Sequence, residues 1–260
     1  MKRISELHDY CRQGWDIRYF ERVDSTNTAL LEAGRQGAAG GLVYVADEQT
    51  AGRGRLDRRW GAPPGTCLLL SLLFRPPEPF IYHAPRLTML SGMAMADAID
   101  AVTGIAVQLK WPNDLIVTCD GMWRKVAGIL SEIGSAADTP PFLVIGIGLN
   151  VNVPAELLPD LAPNATSLLG EGGRPVERVA LLDAFLARVE AYHAAMQAGA
   201  DMLDLWRQRL AWMRCEVHVH TPTGSVTGIA EDVDETGALW LRLSDGAQQS
   251  FSAGDVSLRV

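Results

Sequence analysis

The stretch TCLLLSLLF, residues 66–74, restricts the fold more than any other part of this chain, because only Thr66 and Ser71 interrupt its apolar character. A continuous apolar run of this length reads as a strand buried on both faces or nearly so. Such a strand needs neighbours, and the sequence offers several. GLVYVADEQ (41–49), KVAGILSEIG and PFLVIGIGLNVNV each read as strands, and VQLKWPNDLIV (107–117) reads as two strands broken at Pro112. Proline removes a ladder donor and bends its neighbour. Antiparallel pairing is the simplest way to join these runs. Around them, IRYFERVDSTNTALLEAGRQG predicts a β-rich run followed by a helix capped by Ser25 or Thr26. Residues 84–104 predict one helix and residues 176–210 two more, all with apolar positions at helical spacing.

The character of the chain changes near residue 213. From Cys215 onward come short alternating runs separated by Gly, Asp and Thr, which predict about five short strands. Closure into a barrel would remove their exposed edges. The expected organisation is therefore a domain over 1–212 and a small all-β domain over 213–260. The 260 residues are enough for both.

Composition excludes several functions. A formal net charge of −8 argues against a broad basic face for nucleic acid or a membrane surface. Cys11, Cys67, Cys119 and Cys215 are far apart and form no CxxC pair, so neither zinc nor a disulfide framework is expected. Reduced, buried thiols in a cytoplasmic protein are the expectation. The N-terminal MKRISELHDYCRQGW has no apolar core of a signal peptide, and no run approaches the roughly 20 apolar residues that span a bilayer.

Against that acidic background stands GRGRLDRRW, residues 52–60, with four arginines in nine residues. A solvated loop is the plain reading of a charge run. A phosphate-binding loop is the other, since Gly52 and Gly54 allow the backbone to fold closely and arginine forks suit phosphate and carboxylate oxygens. With only Asp57 to oppose Arg53, Arg55, Arg58 and Arg59, the loop is expected to be mobile until a polyanion arrives. No GK[ST] follows, so it is not a P-loop. Trp60 is either ordinary core or an aromatic face for a base.

Three further stretches carry polar or glycine residues where packing alone would not require them. KWPNDL (110–115) gathers Lys110, Asn113 and Asp114 around a proline bend, where a simple Asx turn is the alternative. KVAGILSE places Lys125 just before a buried strand, with Gly128 leaving room for close approach. GIGLNVN (146–152) sets Gly146, Gly148, Asn150 and Asn152 within a β-run; it lacks the third glycine and following helix of a dinucleotide fingerprint.

Taken in order, DSTN (24–27), EQTAGRGRLDRRW, KWPNDL, RKVAGIL, GIGLNVN and the terminal GDVSLRV closely resemble biotin protein ligase, from about residue 17 to the C-terminus. The resemblance implies an α+β fold: a class II synthetase-like catalytic domain with a mixed, mainly antiparallel sheet and flanking helices, joined to a small C-terminal SH3-like β-barrel. It implies activation of biotin by ATP and Mg²⁺ as biotinyl-5′-AMP. Transfer to one lysine of a biotin carboxyl carrier protein domain, such as that of acetyl-CoA carboxylase, then follows.

Position by position, the resemblance assigns Ser25, Thr26, Asn27 and Gln49 to biotin. It assigns Arg53, Gly54 and Arg55 to a loop that closes over biotin and the adenylate phosphate. Arg58 would meet the ATP phosphates, Trp60 would stack on adenine, Lys125 would contact the biotin carboxylate and α-phosphate, and Asn150 would bond the adenine. Gly128 and Gly148 would admit the ligand. Asn113 and Asp114 would serve nucleotide, magnesium or loop anchoring, and Asp114 is the candidate general base. No metal ligands of the chain itself are expected. Asp57 stands where the family commonly has glycine, which predicts a stiffer loop that is partly self-neutralised. Bifunctional members carry an N-terminal DNA-binding module; some 23 residues precede DSTN here, so a ligase without that module is expected, with no nucleic-acid partner and with room for a homodimer. A lipoate or octanoate transferase and a non-enzymatic biotin-sequestering protein are the competing readings.

Overall fold

A computed structural model of the chain describes residues 11–12, 14–56, 58–76, 80–119, 122–136, 139–221, 224–252 and 254–258. The N-terminal part runs β1 (Cys11–Arg12), β2 (Trp15–Val23), α1 (Thr26–Arg35), β3 (Leu42–Gln49) and β4 (Cys67–Phe74). After α2 (Phe80–Thr103) come β5 (Gln108–Lys110), β6 (Asp114–Cys119), β7 (Met122–Ala136) and β8 (Thr139–Asn150). Four helices follow: α3 (Leu158–Leu161), α4 (Leu168–Gly172), α5 (Arg178–Gln197) and α6 (Met202–Arg207). The chain finishes with β9 (Glu216–Thr221), β10 (Gly224–Val233), β11 (Leu239–Arg242), β12 (Gln248–Phe251) and β13 (Asp255–Leu258).

The first eight strands form one sheet in the order β1-β2-β3-β4-β8-β7-β6-β5. It is mixed and mainly antiparallel, as expected. The departure is β2 against β3, which run parallel because α1 carries the chain back across one face between them. Ser25 caps α1, its hydroxyl accepting from the Thr28 amide at 3.4 Å.

Strand β4 explains the apolar run, for all eight of its residues are buried. On one face Leu68, Leu70, Leu72 and Phe74 join the core formed with α2 and α5, including Leu90, Met93, Leu182 and Phe185. On the other, Leu73 packs with Leu30 and Leu31 of α1 and Phe142 of β8, while Cys67 and Leu69 pack with Val153 and Leu158. Lys125 lies within β7 rather than before it, because the strand begins three residues earlier at Met122. Among the thiols, burial pushes Cys67 up to about 11, whereas Cys215 is exposed and corrects the expectation that the cysteines are buried. The side chains of Cys11 and Cys119 lie outside the described residues. No helix among the described residues is long and apolar enough to cross a membrane.

The last five strands form an antiparallel sheet in the order β12-β11-β10-β9-β13. Among the described residues β12 and β13 are its two edges and do not pair, so the ladder is open rather than a closed barrel. This sheet shares its core with the larger part: Val217, Val219, Leu239 and Leu241 belong to the same apolar cluster as Leu109 and Trp111. Polar contacts add direction. The Trp111 indole donates to the Gly237 carbonyl at 2.8 Å, Arg207 reaches Asp232 at 2.6 Å, and Lys110 Nζ donates to Asp255 Oδ1 at 2.5 Å.

Lys110 is only 3% exposed, so its charge must be met by protein rather than water. Burial pushes the Asp255 carboxyl up, but the hydrogen bond and charge of Lys110, and then those of Arg58, outweigh it and hold the group below the usual carboxylate range. A carboxyl depressed on folding contributes stability above its unfolded value, and that contribution is lost as the pH falls through the folded value. Asp255→Asn should therefore lower stability on the order of 1 kcal/mol near pH 7, discounted because the carboxylate is partly solvent-screened. The gap should close as pH drops below about 4. Urea midpoints of both proteins at neutral and acid pH check this; a gap that does not change with pH would show that Asp255 acts by shape alone.

Candidate active site

A cavity of about 420 Å³ opens over the β7–β8 half of the sheet, between the arginine stretch and the C-terminal strands. The fifteen residues that the resemblance assigns to the site all line it: Ser25, Thr26, Asn27, Gln49, Arg53, Gly54, Arg55, Arg58, Trp60, Asn113, Asp114, Lys125, Gly128, Gly148 and Asn150, as do Lys110 and Gly146, whereas Gly52 and Asn152 do not.

One end is a buried polar network at the start of α1. Gln49 Oε1 accepts from the Thr26 amide at 2.8 Å and from its hydroxyl at 3.0 Å. Ser71, fully buried, donates within hydrogen-bond range of both Thr26 (2.7 Å) and Asn27 (2.5 Å). It is the polar residue of the β4 run, and it faces this end of the cavity. Asn27 fits because Gly146 has no side chain; a Cβ there would lie 2.0 Å from Asn27 Oδ1.

The two glycines of the adjoining floor serve another ring. Gly128 and Gly148 pair across β7 and β8, and the Trp60 indole lies against both. A Cβ on Gly148 would come within 2.4 Å of Trp60 Cε2. The glycines expected to admit a ligand directly thus first admit tryptophan. Its buried Nε1 has no hydrogen-bond partner among the described residues. Lys125 Nζ stands 5.6 Å from the Trp60 ring centre, a cation–π distance.

Charge is handled by a network that spans the sheet. Asp114 on β6 takes Lys125 Nζ on Oδ1 at 2.6 Å and lies 3.7 Å from Lys110 Nζ through Oδ2. Asn113 is more than an Asx turn: its amide donates to the Ile129 carbonyl at 2.7 Å and its oxygen accepts from Arg55 at 3.0 Å. Both peptide groups of Lys125 are used as well, bonding the Asn164 carbonyl and the Thr166 amide, which fixes residues 164–166 as a wall. Asn150 holds the same wall, its amide donating to the Thr166 carbonyl at 2.9 Å while its oxygen lies 3.5 Å from the Cys67 thiol.

The arginine stretch is a small hairpin. Arg53 bridges Arg59, the Trp60 amide bonds the Gly52 carbonyl at 3.0 Å, and the Gly54 amide bonds the Arg58 carbonyl at 2.7 Å. Leu56 takes the left-handed conformation at the turn, with φ of 54°. The expectation that these arginines need an outside polyanion is corrected for Arg53 and Arg58, because the fold supplies each a carboxylate from far along the chain. Arg53 pairs with Glu132 at 2.8 Å and Arg58 with Asp255 at 3.3 Å, across 79 and 197 positions. Arg55 also reaches the Gly254 carbonyl at 3.4 Å. Burial draws the Arg55 guanidinium below its usual range, a pull that Arg58 reinforces and that Asp114 and Asp255 oppose. Asp57 lies outside the described residues.

Several lining residues were not singled out beforehand: Trp123, Leu161 to Ala165, His220, Gly254 and Asp255. The GDVSLRV segment was visible in sequence, but nothing local indicated that its aspartate would turn into this cavity. The chemistry of the whole is that of an anion site, with cations held on short carboxylate tethers beside an aromatic face.

Comparison with known proteins agrees with this geometry. Residues 19–150 match the biotin/lipoate A/B protein ligase family and residues 216–259 match the biotin protein ligase C terminal domain. The biotin–[acetyl-CoA-carboxylase] ligase of Mycobacterium tuberculosis is 35% identical over 254 residues, covering 94% of this chain and 89% of that protein. The bifunctional ligase/repressor BirA of Bacillus spizizenii is 33% identical over 248 residues, covering 94% and 74%. Among solved structures, biotin protein ligase from Aquifex aeolicus in complex with biotin and ATP superposes with a TM-score of 0.75 at 28% identity, covering 94% of this chain and 98% of that one. With two family models in chain order and relatives above 30% identity matched over 74% and 89% of their length, this chain belongs to the biotin protein ligase family.

Proposed function

We propose that the chain is an ATP-dependent ligase that activates biotin as biotinyl-5′-AMP and transfers it to a lysine of a biotin carboxyl carrier domain. The convergence of Arg53, Arg55, Arg58, Lys110 and Lys125 on one cavity that also holds an aromatic seat and a buried polar end carries this reading. It needs two anions brought together. A biotin carboxylate oxygen attacks the α-phosphorus of ATP, the bond from that phosphorus to the bridging oxygen breaks, and pyrophosphate leaves. The carrier lysine, having lost its proton, then attacks the acyl carbon and AMP departs. Charge neutralisation and in-line placement supply most of the rate in such a reaction.

In this reading the polar end, Ser25, Thr26, Asn27 and Gln49, receives the biotin rings. Lys125 bridges carboxylate and α-phosphate, with its ammonium aimed by Asp114. Arg58 meets phosphate, and Trp60 on its glycine seat takes the adenine face. Mg²⁺ would arrive on the phosphates of ATP, where it keeps most of its coordination. Asp114 and Asp255 are the carboxylates lining the cavity, and no group of three or more metal-ligating side chains occurs among the described residues. Asp114 remains the candidate base for the lysine. The same reading carries a cytoplasmic setting, a domain division at 212/213, a class II synthetase-like catalytic domain, and an SH3-like curl of the C-terminal sheet.

The direct experiment mixes the purified protein with biotin, MgATP and a carrier domain and reads intact mass. One biotin per carrier is the expected product. Pyrophosphate released equally with lipoate or octanoate would replace biotin as substrate, and biotin bound with no carrier labelled would replace catalysis with sequestration.

Two substitutions divide the roles. Lys125→Ala should slow adenylate formation at least about a hundredfold, since loss of a preorganised charge donor costs on the order of 3 kcal/mol in the transition state. A rate within a few-fold of wild type would remove Lys125 from the chemistry. Gly148→Ala forces Trp60 from its seat. It should weaken ATP binding about tenfold or more while leaving biotin binding less affected, as base–aromatic stacking contributes roughly 1–3 kcal/mol. Calorimetric titration with each ligand checks this; unchanged ATP affinity would place adenine elsewhere.

A further inference from the structure

We propose that Glu132 is a positioning residue that ties the arginine hairpin to the floor of the biotin end of the cavity, and so retains the activated acid until a carrier lysine arrives. The inference rests on the ligase reading above. Glu132 lies on β7, two residues beyond the lining residue Leu130, with its side chain 19% exposed. One arginine nitrogen, Arg53 Nη1, stands 2.8 Å from Oε1 and 3.0 Å from Oε2. The same Oε2 accepts from Asn27 Nδ2 at 3.0 Å. A single carboxylate therefore joins a residue of the hairpin to a residue of the floor.

Both ends of that link are placed to matter. Asn27 is 3% exposed; its Nδ2 also donates to the Leu130 carbonyl, and its Oδ1 accepts from Ser71. It cannot move without disturbing the polar end. Arg53 pairs with Arg59 across the hairpin, so holding Arg53 holds both legs near their root. Among the described residues, the side-chain hydrogen bonds of Arg55 and Arg58 run instead to Asn113, Gly254 and Asp255. Glu132 is thus the anchor on the biotin side. Arg53 is 47% exposed, so the pair is solvent-screened and should add little to global stability. Its effect belongs to local opening of the hairpin, which is governed by the few contacts that hold it.

Glu132→Gln keeps an oxygen for Asn27 and removes the charge that holds Arg53. Wild type, Glu132→Gln, Arg53→Gln and the double variant would each be incubated with biotin and MgATP, with the carrier domain in one arm and an unrelated lysine-rich protein in the other. Biotin on the bystander should rise about fivefold or more with Glu132→Gln, the change expected for loss of one charge-assisted contact. The double variant should leak no more than Arg53→Gln alone, because the two side chains act as one link. Thermal melting should be close to wild type, which a merely structural role would not allow together with leakage. If Glu132→Gln fails to fold, the exposed Arg53→Gln carries the same test. Bystander labelling at the wild-type level in the folded variants overturns the inference about Glu132 alone, as does additive leakage in the double variant. A wild type that forms no adenylate and labels no carrier overturns the ligase reading with it.

Discussion

The rest of the structure depends on the balancing of clustered arginines and lysines around one cavity in a chain that is acidic overall. Lys110 and Lys125 share Asp114, Lys110 and Arg58 share Asp255, and Arg53 holds Glu132. A buried charge left unpaired would cost several kcal/mol, so Lys110, only 3% exposed, needs Asp114 and Asp255, while Glu132 meets the exposed Arg53 and adds little to the fold; these are the three carboxylates of the network. They come from β6, β7 and β13, elements that meet only when the large sheet is complete and the C-terminal sheet is docked on it. The C-terminal sheet is consequently part of the site, contributing Asp255 and the Gly254 carbonyl as well as shared apolar core.

The glycines supply the complementary constraint. Gly146 makes room for Asn27, and Gly128 with Gly148 makes a flat seat for Trp60. A sheet with ordinary side chains at these points would fill the cavity from below. The result is a pocket polar at one end, with an aromatic face beside a cationic roof.

The fold was legible wherever it followed from local pattern. TCLLLSLLF announced a doubly covered strand, Pro112 the break between β5 and β6, and Ser25 the cap of α1. The parallel pairing of β2 and β3 was not legible, because pairing direction depends on the path of the connecting helix. The site shows the same division. Residue types that chemistry demands stood out in GRGRLDRRW, KWPNDL and GIGLNVN, and most of them line the cavity, Gly52 and Asn152 excepted. Their partners did not stand out. Glu132 and Asp255 lie 79 and 197 positions from the arginines they hold, and in sequence each is one ordinary surface carboxylate among thirty-one acidic residues. Ser71 was visible as a polar break in an apolar strand, but which face it served required the sheet.

The central claim is that this cavity joins biotin to the α-phosphate of ATP and keeps the product. The most direct measurement incubates the protein with ATP labelled on its α-phosphate and with biotin, without any carrier, then denatures it and separates the released small molecules. The account predicts one labelled species beyond ATP and AMP, dependent on biotin, near one equivalent per protein, and consumed when a carrier domain is added before denaturation. Label that stays covalently on the protein, or an acyl-adenylate that forms as readily from lipoate as from biotin, would contradict it.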